Sequence, residues 1–164
     1  MAPTMKRAKR DRLAQALKRV PWLVEAVIMA MRWTQAHYTA GVVGVVLNTR
    51  GEVLLVEHVL HPNCPWGLPG GWMGRREDPA TTLKRELQEE LGLEVQIIRP
   101  LLIQNDFSRI NHLDIAFLCE AANNVSQLSR ELLDYRWLTA DQAPPLKPFH
   151  AAALAAAATV LNSG

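Results

Sequence analysis

The segment Gly71–Leu93, GWMGRREDPATTLKRELQEELGL, holds three glutamates where a helix tolerates them least. Asp78 is a good N-cap and Pro79 suits the first helical position. Gly92 fits the left-handed residue just past a helix end. Residues 79–91 are thus expected to form one helix. Ala80, Leu83, Leu87 and Leu91 recur at helical spacing and should face a core. Glu86, Glu89 and Glu90 stand at i, i+3 and i+4, so their carboxylates share another face.

That arrangement works against the helix. Like charges at this spacing cost a few tenths of a kcal/mol each, and anions near a C-terminus oppose the dipole by roughly 0.3–1 kcal/mol each. Partly buried, two carboxylates about 4 Å apart would repel by about 4 kcal/mol at an effective dielectric near 20. A divalent cation removes the conflict, because hard oxygen ligands suit Mg²⁺ or Mn²⁺. A plain solvated acidic face is the alternative that the glutamates alone leave open.

The wider spacing bears on that choice. Gly71, five residues, Glu77, seven residues, Arg85-Glu86-Leu87, Gln88, Glu89-Glu90, Leu91 and Gly92-Leu93 resemble the Nudix box at every defined position. Leu68-Pro69-Gly70-Gly71 ahead of it, strand-like segments on both sides, and Trp137-Leu138 followed by a C-terminal helix extend the likeness to about residues 40–161. The resemblance implies an α/β fold, an α/β/α sandwich on a mixed β-sheet. It also implies a Nudix domain over residues 39–164, with residues 1–38 as a basic helical extension.

Composition agrees with one compact domain. The chain has 164 residues, 49% hydrophobic and 21% charged, ordinary for a globular protein. A net charge of +2 conceals an asymmetry. Residues 1–20 carry seven Lys or Arg and one Asp, a balance of +6, and the remainder carries 11 basic and 15 acidic residues, a balance of −4. Cys64 and Cys119 form no CxxC pair and read as two reduced thiols in a cytoplasmic enzyme. The apolar run near Val20–Met31 is interrupted by Glu25 and is too short for the roughly 20 residues of a spanning helix. Glu25 and Arg32 also count against a signal peptide.

Residues 5–19 read as a basic amphipathic helix, and Pro21 opens a second helix striped by Trp22, Leu23, Ala26, Val27, Ala30 and Trp33. A helical hairpin packed on the domain or across a homodimer accounts for them. A basic arm for RNA and a membrane-surface helix are the other readings. From Ala40 the period changes. Gly41–Leu47 and Glu52–Val59 flank Asn48-Thr49-Arg50-Gly51 as a β-hairpin. Leu93–Ile103, Leu113–Cys119 and Tyr135–Leu138 read as strands. Gln104–Asn111 and residues 120–130 read as polar loops, and residues 149–161 as an alanine-rich helix.

By the resemblance, the box holds a divalent metal, Mg²⁺ or Mn²⁺, against the diphosphate of a nucleotide. The implied metal ligands are Glu86, Glu89, Glu90 and the carbonyl of Gly70. Arg85 pairs with Glu77 and orients the glutamates, and Gly71 and Gly92 shape the motif. Glu131 is the candidate for a further metal ligand or general base, with Asp134 and Glu120 as rivals. Trp66, Arg109 and His112 are the substrate-binding candidates. Trp66 and Trp72 bracket the Pro-Gly-Gly turn and either cover the loop or border the cleft. His58 and His61 are weaker candidates for leaving-group or ribose contacts.

The function implied is hydrolysis of a phosphoanhydride in a nucleoside diphosphate-linked substrate, of ADP-ribose or nucleotide-sugar type. A nucleoside triphosphate pyrophosphohydrolase that sanitises oxidised nucleotides is the alternative within the family. A non-catalytic nucleotide-binding Nudix domain is the alternative outside catalysis, and an RNA-end pyrophosphohydrolase would use the basic tail.

Overall fold

The computed structural model of the chain describes residues 20–60, 62–106 and 111–162. The basic helix expected over residues 5–19, His61 and Arg109 lie outside the described residues. Internal contacts divide the chain into two units, residues 1–37 and 38–164. In the first, helix α1 spans Pro21–Thr34, with Pro21 at its start, and none of its residues is buried.

The second unit is built on one mixed sheet of seven strands. They are β1 (Thr39–Leu47), β2 (Val53–His58), β3 (Trp66–Gly67), β4 (Gly70–Trp72), β5 (Val95–Asp106), β6 (His112–Ala121) and β7 (Leu132–Leu138). The main path runs β3-β2-β1-β6-β5, with β4 added to β1 and β7 added to β2. β1 and β6 are parallel from Thr39↔His112 to Leu47↔Glu120, and the other pairings are antiparallel. Helix α2 spans Pro79–Leu91 and helix α3 spans Pro148–Asn162.

Alternation along β1 and β2 splits the core into two layers. Val42, Val46, Leu54 and Val56 pack with Leu83, Leu87 and Leu91 of α2. Val45, Leu47, Val53 and Leu55 pack on the other face with Ala153 and Ala157 of α3. The small alanines let α3 lie close against the sheet. Together these layers make the expected α/β/α sandwich. Cys119 lies in the α2 layer, and burial pushes its thiol up to about 12. Both cysteines are free.

Several boundaries differ from the sequence reading. The β1–β2 hairpin closes only at its tip, at Leu47↔Val53 and Asn48 N–H to Glu52 O at 3.0 Å. Beyond that the two strands part, because β1 takes β6 and β4 as neighbours and β2 takes β7 and β3. Gln104, Asn105 and Asp106 are strand rather than loop, paired with Asp114, Leu113 and His112. Their polar character fits an edge strand, as does Pro100, which can donate no ladder hydrogen bond. β7 begins at Leu132, three residues earlier than expected, and pairs along all of β2 with an irregularity at Glu57/His58.

Candidate active site

Helix α2 carries the acidic cluster, and both its ends are closed as the sequence implies. The Asp78 carboxylate accepts from the amides of Ala80 and Thr81, each at 3.1 Å. Gly92 adopts φ 58°, and its N–H bonds Gln88 O at 3.0 Å. That conformation favours glycine.

The C-terminal carbonyls of α2 have a second set of partners. The segment 122–131 wraps the helix end: Gln127 Nε2 donates to Glu89 O at 2.9 Å and Gln88 O at 3.1 Å. Ser129 N–H bonds Glu90 O at 2.8 Å and Ser126 N–H bonds Leu91 O at 3.0 Å. Gln88 O is already bonded by Gly92 N–H, and the donors to Glu89, Glu90 and Leu91 complete the cap and offset the negative end of the dipole just where the glutamates sit. The same segment brings Glu131 to the cleft that Glu86 and Glu90 line.

Arg85 organises the outer side. Its Nε and Nη2 donate to the two oxygens of Glu77, both at 3.0 Å. Nη1 donates to Glu86 Oε1 at 2.9 Å and Glu89 Oε2 at 3.2 Å. Glu77 also accepts from Gly74 N–H at 3.1 Å. Chiefly through the Arg85 bonds, its carboxyl is pushed down to about 2. Glu86 is half-buried behind β4, and a Cβ at Gly71 would collide with its carboxylate. At Gly70 a Cβ would run into the Val42 carbonyl, and the backbone there has φ 152°. Glycine at both positions lets β4 approach β1 and α2.

Glu90 is the unusual member. It is 8% exposed, and its Oε2 has no hydrogen-bond partner. Burial first, then the charges of Glu86, Glu131 and Glu89, pushes its carboxyl up to about 7. A buried oxygen left without a bond is costly in a folded protein. A hard cation shared with Glu86 would supply the missing partner, so the oxygen donors fit Mg²⁺ or Mn²⁺. The three box glutamates do not converge by themselves. Among the described residues no three acidic, His or Cys side chains form a ready coordination group. Glu89 instead stands on the outer side with Arg85, its side chain 62% exposed.

The cleft has a volume of about 830 Å³. Gly70, Gly71, Glu86, Glu90 and Glu131 form its acidic side, and Trp72, His112, Asp114 and Gln104 line it as well. His112 is buried, with Thr39 Oγ1 2.7 Å from Nδ1 and Asp114 Oδ1 3.3 Å from Nε2. The ring is thus flanked on one side by the Thr39 hydroxyl and on the other by the Asp114 carboxylate. The Trp72 ring lies tilted against His112, centroids 4.8 Å apart, and is 57% exposed.

Trp66 is not part of this lining. It is half-buried in β3 with the α3 layer, and the Arg136 guanidinium lies 4.5 Å from its ring centre. Its place on β3, paired with β2, turns it to the core, while Trp72 occupies the cleft. Asp134 and Glu120 also lie outside the lining, and Asp134 meets Arg136 at 3.4 Å. The sequence reading missed Lys147, just ahead of α3, and His150, in its first turn, both of which line the cleft. His150 Nδ1 accepts from Leu68 N–H at 2.9 Å, so its ring proton is on Nε2. The run Pro144, Pro145, Pro148 just before them was the one local signal that a helix start lies here. A second hollow of about 380 Å³, between Asn48–Arg50 and Ala121–Asn124, contains no carboxylate.

The model of the NUDIX domain matches residues 37–157. The chain belongs to the Nudix family. It is 30% identical over 105 residues to a "MutT-like protein" of Streptomyces ambofaciens, covering 64% of this chain and 66% of the relative. It is 32% identical over 108 residues to a CMP-5'-(N-acetyl-N-hydroxy-3-aminopropyl)phosphonate hydrolase of Streptomyces rubellomurinus, covering 62% of this chain and 52% of that protein. The match thus spans less than two thirds of either curated relative. Among solved Nudix-fold structures, an ADP-ribose pyrophosphatase from Streptococcus suis is 22% identical with a TM-score of 0.62, covering 75% of this chain and 92% of that one.

Proposed function

We propose that this Nudix chain hydrolyses a phosphoanhydride bond in a nucleotide joined to a second group through a diphosphate, with ADP-ribose or a nucleotide sugar as the substrate type. One observation carries the reading: the buried Glu90 oxygen with no hydrogen-bond partner, in a cleft shared with Glu86 and Glu131. An acidic cleft alone would repel a diphosphate, so a cation must mediate. Mg²⁺ held by Glu86, Glu90, the Gly70 carbonyl and, on the outer side, Glu89 would neutralise the diphosphate and polarise its phosphoryl oxygens.

The remaining work falls to the chain's own groups. Arg85, anchored on Glu77, fixes the orientation of Glu86 and holds Glu89 on the outer side. Glu131 accepts the proton of the attacking water. Trp72 offers an exposed ring on which a nucleobase can stack, and His112, held by Thr39 and Asp114, supports that ring. The cytidine-nucleotide relative named above, at 32% identity, favours a nucleotide joined to another group. The MutT-like relative favours a nucleoside triphosphate as the second reading.

The test is a panel of ADP-ribose, nucleotide sugars and nucleoside triphosphates, including oxidised purine ones, with Mg²⁺ or Mn²⁺. Release of nucleoside monophosphate from the conjugates supports the first reading. Release of pyrophosphate from triphosphates alone supports the second. No turnover of any, with the chain folded, rejects both in favour of a binding domain.

A further inference from the structure

Helix α1 has 14 residues, of which only Glu25 and Arg32 are charged. These two are seven apart and lie on one line of the helix. Trp22, Met29 and Trp33 lie to one side of that line, about 40–100° round at about 100° per residue. Leu23, Val24, Val27, Ile28 and Met31 cover the rest. Trp22 and Trp33 are 67% and 81% exposed, and no residue of the helix is buried. A helix apolar on nearly every side needs cover. At about 1.5 Å per residue it is about 21 Å long, short of the roughly 30 Å bilayer core. Among the described residues no helix is long and apolar enough to cross a membrane.

We infer that helix α1 docks on an anionic lipid surface, lying in the plane of the interface. Charge chooses this occupant. The 20 residues that lead into α1 carry a balance of +6. RNA would take up that charge and leave the apolar helix bare. A second copy pairing through α1 would cover the helix but bring two +6 segments together. A bilayer containing anionic lipid satisfies both. Each Lys or Arg near such a surface adds to the attraction, which salt screens.

The test is co-sedimentation of the full chain with vesicles of phosphatidylcholine alone and of phosphatidylcholine with phosphatidylglycerol. Binding to the anionic vesicles only, released by high salt, is expected. Replacing Lys6, Arg7 and Arg10 by Gln should weaken partitioning on the order of 100-fold. Ile28→Asp should abolish it, with the circular dichroism spectrum of the Nudix unit intact. Equal binding to neutral vesicles, or none to either, overturns the inference. So does a dimer in solution that Ile28→Asp dissociates while vesicle binding is absent, or tight binding of an RNA oligonucleotide by a chain that ignores anionic vesicles.

Discussion

Arg85 and Glu77 meet as a two-pronged pair, Nε to Oε1 and Nη2 to Oε2, each at 3.0 Å. A fork of this kind fixes an angle as well as a distance. The third prong of Arg85 then reaches Glu86 and Glu89. Arg85→Lys keeps the charge and loses the fork. It should lower kcat by about 10–100-fold, the usual scale for a partner that orients metal-binding groups, with little change in Tm. A variant with wild-type kcat would reduce the pair to a surface contact.

The same pair sets a pH dependence. Glu77 is held down to about 2, below its ordinary 4.5, chiefly by Arg85. A carboxyl lowered in the folded state contributes stability that is fully present above the unfolded value. That contribution is lost as pH falls through the folded one. Wild type should therefore lead Glu77→Gln in Tm at pH 6, and the lead should shrink between about pH 4.5 and 2. A lead that does not change with pH over this window would count against the assignment.

Glu90 should show opposite effects on stability and on turnover. Its neutral isostere removes a buried charge set among three other carboxylates. Glu90→Gln should raise Tm in EDTA while lowering kcat by at least about 100-fold, the upper end of what losing an outer partner costs. Mg²⁺ should raise the Tm of wild type, by mass action, and leave that of the variant nearly still. Equal Mg²⁺ shifts in both proteins would remove Glu90 from the metal set.

Trp72 and Trp66 should separate binding from folding. Trp72→Ala should raise KM for the nucleotide between about 5- and 150-fold, the span of about 1–3 kcal/mol for a stacked base, with kcat nearly unchanged. Trp66→Ala should lower Tm instead, since that ring packs with the α3 layer under Arg136. Steady-state kinetics and thermal melts on the two variants decide the matter, and the reverse pattern would return the substrate role to Trp66.

Gly70 and Gly71 are adjacent but should fail differently. At Gly70 the added methyl strikes backbone and the φ is positive, so Gly70→Ala should destabilise by about 2 kcal/mol or more. At Gly71 it strikes the end of the Glu86 side chain, which can swing aside. Gly71→Ala should keep most of its Tm and lose activity. Denaturant melts and turnover of the same preparations separate the two.

What the sequence revealed was local. Asp78, Pro79 and Gly92 mark the two ends of α2 to the residue, because caps depend on near neighbours. Leu83, Leu87 and Leu91 show the buried face for the same reason. The hairpin was half legible: Asn48–Gly51 announces a turn, but no local signal shows β1 leaving β2 for β6, a strand about 70 residues away. Gln104–Asp106 read as loop because polar residues on an edge strand resemble loop residues. His150 and Lys147 were invisible as cleft residues, since only the packing of α3 across the sheet delivers them. Likewise Trp66 and Trp72 look equivalent in sequence, and strand pairing alone sends them to opposite environments.

The wrap of segment 122–131 around the end of α2 ties two things that would otherwise vary separately. Gln127 and Ser129 hold the carbonyls of Glu89 and Glu90, and two residues later the chain supplies Glu131. An insertion or deletion in this stretch cannot retune the acid alone, because it also uncaps the helix that carries the others. The Ala122–Asn124 corner is tied down as well, because Asn123 donates to Gly92 O at 3.3 Å and accepts from Glu94 N–H at 2.8 Å. Any natural or engineered drift in specificity that comes through this segment must preserve the Gln127–Ser129 anchors first.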